Sequence, residues 1–77
     1  MLVNVGYGNM VNADKIIGVS NYNASPIKRM VSNAKDYNRC VDMTMGKKTN
    51  SVIFMENDYI VLSASIPATI NKRMEKK

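Results

Sequence analysis

Seventy-seven residues suffice for one small domain, and a chain of this size buries only about 60% of the surface its unfolded form exposes, so its own core is marginal. Eleven lysines and arginines against six aspartates and glutamates leave a net charge of +5, which favours polyanionic partners such as nucleic acid or an acidic membrane face. Histidine is absent and cysteine occurs once, which excludes an intramolecular disulfide, a Cys/His metal cluster and the commonest general base.

In chain order, Leu2–Val5 reads as a short strand stopped by turn chemistry at Gly6-Tyr7-Gly8-Asn9. Met10-Val11 and Lys15–Val19 read as strand segments around a bend at Asn12-Ala13-Asp14, followed by a polar loop, Ser20-Asn21-Tyr22-Asn23. Ser25-Pro26 gives a helix start, with serine as the expected cap and proline at the first helical position. Behind it Ile27, Met30, Val31 and Ala34 form one apolar stripe at three- and four-residue spacing. Asn38 is the expected left-handed cap at the other end.

From Cys40 the pattern changes to strands. Cys40–Met45 and Ser51–Met55 flank Gly46-Lys47-Lys48-Thr49-Asn50, which predicts a hairpin with a basic tip. The continuously apolar Val52–Met55 predicts a strand buried on both faces. Glu56-Asn57-Asp58 turns into Tyr59–Ala64, and a short helix runs from Pro67 to Arg73. The expected fold class is α+β, with a small antiparallel sheet, one main helix and a short C-terminal helix. One domain is expected over residues 1–77, with residues 70–77, including the basic Lys76-Lys77, partly frayed.

Catalytic chemistry finds little support. Cys40 lacks a histidine to activate it and reads as a small apolar residue, and the spacing of Asp14, Asp36 and Asp42 does not converge them on a metal or an acid/base pair. Gly6-Tyr7-Gly8 leads into a strand, whereas a dinucleotide fingerprint leads into a helix. Gly46-Lys47-Lys48-Thr49 lacks the upstream glycine and the following helix of a phosphate-binding P-loop. No enzyme activity, cofactor, metal or small-molecule substrate is expected. The start, Met1–Gly6, lacks a charged segment and a long apolar run, and no stretch reaches membrane-spanning length, so a cytoplasmic protein without membrane contact is expected. With a marginal core and no staple, self-association is the expected route to further apolar burial.

The basic groups carry the remaining signal. Lys47 and Lys48 adjoin on a turn, and Asp42 is the one carboxylate within five residues of either. Read alone, the pair fits a contact with polyanions and equally a solvated tip that guards a sheet edge against aggregation. Lys28 and Arg29 fit an outward-facing helix surface.

Asn4-Val5-Gly6-Tyr7-Gly8-Asn9, Ser25-Pro26-Ile27-Lys28-Arg29-Met30, Gly46-Lys47-Lys48-Thr49 and Leu62-Ser63-Ala64 with Pro67 together resemble the RemA-like family of extracellular matrix regulatory proteins, from about Val3 to Arg73. The resemblance implies a bacterial DNA-binding transcriptional regulator that activates biofilm-matrix genes, assembled as a ring that presents basic loops to double-stranded DNA. It places DNA contact at Lys15, Lys47 and Lys48, where this chain carries lysine in place of the family's arginine, and Asn50 replaces a further basic residue. Lysine is a flexible point charge and arginine a planar fork, so the exchange weakens base readout more than phosphate contact. An RNA-binding module and a basic protein that docks on an acidic partner or membrane are the alternatives. The five aromatics form no evident stacking platform for the first, and the helix's narrow stripe lacks the bulky anchors of the second.

Overall fold

A computed structural model describes residues 1–75; the Lys76-Lys77 pair lies outside the described residues. Leu2–Gly6 (β1) and Asn9–Asn12 (β2) form an antiparallel ribbon. Its two-residue connection, Tyr7-Gly8, has positive φ at both positions (54° and 80°), as tight hairpins with right-handed twist require. Gly6 itself sits at φ +110°, and a Cβ there would lie 3.3 Å from Ser65 Oγ. Both the backbone and the close neighbour therefore call for glycine. Alternation puts Val3, Val5 and Val11 inward and leaves Leu2 and Met10 exposed.

A 3-10 turn, Ala13–Lys15, leads into Ile16–Asn21 (β3). This strand continues two residues into the expected polar loop, because Ser20 and Asn21 pair with Val52 and Ser51. Lys15 ends the turn and does not start the strand. The main helix, Ser25–Asp36 (α1), begins one residue earlier than a serine cap requires: Ala24 is the N-cap, without a side-chain bond, and Ser25 lies inside the first turn. Its other end follows expectation. Asn38 has φ 58°, its N–H donates to the Lys35 carbonyl and that of Arg39 to the Ala34 carbonyl, which is a Schellman closure.

The remaining elements are Cys40–Asp42 (β4), Ser51–Met55 (β5), Ile60–Ser63 (β6) and Pro67–Glu75 (α2). The main sheet has the order β3-β5-β6-β4, in which β3-β5 and β5-β6 are antiparallel and β4-β6 is parallel. The hairpin expected between Cys40–Met45 and Ser51–Met55 therefore does not form. All four residues of β6 are buried, which suits an interior strand with neighbours on both sides, and the half-exposed β4 is suited to the edge. Residues 43–50 are consequently a crossover past the end of β6.

The sheet is covered on both faces. Val31 and Ala34 of α1 pack on Val52, Ile60 and Leu62. Ile70 of α2, with Val3, Val5 and Val11, packs on Ile53 and Val61 from the other side. That arrangement explains the unbroken apolar run of β5, whose successive side chains enter opposite clusters. Met30, expected in the stripe, is exposed.

Candidate nucleic-acid interface

The crossover carrying Lys47 and Lys48 is braced along its length. Asp42 Oδ1 accepts from both the backbone N–H (2.9 Å) and the hydroxyl (2.6 Å) of Thr44, a side chain that is buried although polar. These two donors hold the Asp42 carboxyl below its ordinary value, against a smaller opposing effect of desolvation, with Lys35 adding to the lowering. Next comes a tight turn, closed by Lys47 N–H to the Thr44 carbonyl (3.0 Å), with Met45 and Gly46 both at positive φ. Asn9 Nδ2 donates to the Met43 carbonyl at 3.3 Å, tying the start of the crossover to the ribbon.

Asn50 anchors the far end. Its N–H donates to the Ser63 carbonyl (2.9 Å), its side-chain amide to the Ala64 carbonyl (2.8 Å), and its own carbonyl accepts from Tyr22 N–H (3.2 Å). Asn50 thus braces the crossover against the end of β6 and the segment after β3. Between these fixed points Lys47 and Lys48 are exposed, and among the described residues neither belongs to an ion pair.

Lys15 occupies different ground. Its backbone carbonyl accepts from Glu56 N–H at 2.9 Å, and its ammonium lies 3.9 Å from the Glu56 carboxylate, both side chains being more than half exposed. An exposed pair at that distance contributes little and is easily exchanged for another anion. The register places Ile16 opposite Met55 and Asn21 opposite Ser51. The backbones of Lys15 and of the Lys47–Lys48 loop therefore stand toward opposite ends of β5, whose length is about 14 Å. The three lysines are not one cluster within a single chain.

Two basic residues have partners that the sequence reading did not give. Arg73, on α2, donates to the Asn4 carbonyl (3.1 Å) and to Ser65 Oγ (3.3 Å), binding the helix to the ribbon. Lys28 Nζ lies 5.6 Å from the centre of the Tyr22 ring. Neither partnership follows from periodicity, since each joins residues from different elements. The Asp42–Thr44 bond, by contrast, has a local signal in its two-residue spacing. Cys40 is half-buried against α1, and burial pushes its thiol up, with Lys35 opposing and Asp42 reinforcing the effect. Among the described residues no cluster of metal-ligating side chains occurs, and no helix is long and apolar enough to cross a membrane.

Residues 2–74 match the RemA-like family, described as extracellular matrix regulatory protein A-like. The chain belongs to this family. A relative from Lachnoclostridium phytofermentans, named for a regulatory role, is 53% identical over 76 residues, covering 99% of this chain and 84% of the relative. Similarly named relatives from Brevibacillus brevis (42% over 76 residues, 99% of this chain and 88% of the relative) and Carboxydothermus hydrogenoformans (40% over 75 residues, 97% and 86%) align over nearly the same span. The RemA-like match thus runs across both faces of the sheet, the braced crossover and α2, and it identifies a regulatory protein.

Proposed function

We propose that this RemA-like protein is a cytoplasmic transcriptional regulator that binds double-stranded DNA through Lys15, Lys47 and Lys48, as a ring-like homo-oligomer of one domain spanning residues 1–77. The observation that carries the reading is the braced crossover: two adjacent lysines that join no ion pair among the described residues, on a turn whose ends are hydrogen-bonded to the sheet and ribbon. A held loop loses little conformational freedom on binding, so more of its charge interaction appears as affinity.

The separation of Lys15 from the loop fits this partner. A backbone span of about 14 Å is comparable with the ~12 Å width of the DNA major groove, a spacing at which one subunit could touch the backbones on either side of a groove. Three such contacts release few counter-ions, and repetition around an oligomer raises avidity by roughly 10²–10⁴ where the geometry permits simultaneous contact. The surface supports self-association. Ile17, 69% exposed at a bulge in the edge strand β3, borders one groove of mixed character with Val19, Pro67, Asn71 and Met74 and a mainly apolar one with Met30, Phe54 and Tyr59. Heterologous contacts between unlike patches of identical chains close into rings when the rotation permits. No catalysis, cofactor or small-molecule substrate enters this function, and lysine contacts give backbone charge more weight than base sequence. The genes controlled are proposed by family to be those of the extracellular matrix.

Titrating duplex DNA, single-stranded RNA and anionic vesicles over a range of salt concentrations tests the proposal. Tight, steeply salt-dependent binding to duplex is expected. Preference for RNA or for vesicles would replace DNA as the partner, and a monomer by light scattering at micromolar concentration would remove the ring.

A further inference from the structure

We propose that Lys28, held by the ring of Tyr22, is an additional phosphate-contacting residue, so that the basic surface extends from the crossover to the N-terminal part of α1. This inference rests on the DNA-binding reading above and adds a residue to its site.

Three observations place Lys28 there. The first is proximity to the crossover: β3 pairs with β5 up to Asn21–Ser51, and Tyr22 N–H continues the contact by donating to the Asn50 carbonyl, two residues from Lys48. The second is the ring itself. Tyr22 is half-buried and packs on the cluster that α1 forms with the sheet, so its ring is a fixed platform. The Lys28 ammonium at 5.6 Å lies within the ~6 Å reach of a cation–π contact. Such a contact restrains a flexible side chain while leaving ammonium donors free for an outside acceptor.

The third is local electrostatics. Lys28 lies near the N-terminus of α1, whose first turn has no acidic residue and whose N-cap Ala24 supplies no side-chain hydrogen bond. A cation near that end of a helix opposes the helix dipole. Among the described residues Lys28 joins no ion pair that would offset this, so its position is unfavourable for the free chain and favourable once a polyanion lies against it.

The test is duplex affinity against salt for the full chain, with thermal midpoint and oligomer mass recorded for each variant. Lys28→Ala is expected to lower the magnitude of the log–log salt slope by about 0.9 for each contacting subunit, and Lys28→Arg to preserve it. Tyr22→Phe, which keeps the ring, is expected to bind as wild type, and Tyr22→Leu to bind roughly two- to five-fold more weakly. A wild-type slope in Lys28→Ala, alongside a reduced slope in Lys47→Ala/Lys48→Ala, would overturn the assignment of Lys28 alone. Equal affinity of the two Tyr22 variants would overturn the positioning role of the ring. Absence of salt-dependent duplex binding by the wild type would instead remove the underlying DNA reading.

Discussion

The hydroxyl of Ser63 donates to the carbonyl oxygen of Val5 at 2.6 Å, joining residues 58 positions apart where the ribbon meets the main sheet. Both residues are fully buried, and Ser63 Oγ also accepts from Ser65 N–H at 3.0 Å. One hydroxyl therefore satisfies two backbone groups. Ser63→Ala leaves the Val5 carbonyl unpaired away from water and is expected to cost about 1–3 kcal/mol. For a domain of this size each kcal/mol corresponds to roughly 4–8 °C in thermal midpoint, so calorimetry resolves the effect.

Arg73 makes the neighbouring connection, from α2 to the Asn4 carbonyl and Ser65 Oγ. Both bonds are longer than 3 Å and one is exposed, so Arg73→Ala is expected to cost about 1 kcal/mol, within the usual range for one hydrogen bond. Its signature is selective: a lower thermal midpoint with an unchanged salt slope on duplex DNA. A reduced slope with unchanged stability would move Arg73 from the fold to the interface.

Asn38 occupies the left-handed position that closes α1. Asn38→Gly fits that φ without strain and is expected to leave stability unchanged or raise it slightly, whereas Asn38→Val, β-branched at positive φ, is expected to cost about 1–2 kcal/mol. Chemical denaturation of the two variants checks the opposition.

Asp42 links the crossover to pH. Its folded-state value is lowered by the Thr44 hydroxyl and backbone N–H, so its contribution is complete above the ordinary aspartate value near 4 and is lost as pH falls through the depressed one. Thermal midpoints measured from pH 2 to 6 should fall less steeply at the acid end for Asp42→Asn than for wild type. Parallel curves for the two proteins would contradict this role.

Much of this architecture is legible in the sequence because its signals are local. The Gly6-Tyr7-Gly8 turn, the Asn38 cap and the apolar run of β5 each follow from residues adjacent in the chain. The pairing of Cys40–Asp42 is not local: whether β4 lies beside β5 or β6 depends on which strand needs two neighbours, and the buried Ile60–Ser63 decides it. The same holds at the candidate site. Adjacent Lys47 and Lys48 are visible as a basic tip, but the Asn50 brace, the distance to Lys15 and the Tyr22–Lys28 contact are products of strand pairing. Ser25 missed its cap position by one residue, since proline at the second helical position is tolerated as it is at the first.

The most direct test of the central claim compares the salt dependence of duplex DNA affinity in wild type and Lys47→Ala/Lys48→Ala, with oligomer mass measured on the same samples. The account predicts a steep negative slope for wild type and a slope reduced in magnitude by about 1.8 per contacting subunit for the double variant, at unchanged mass. An unchanged slope and affinity in the double variant would contradict it.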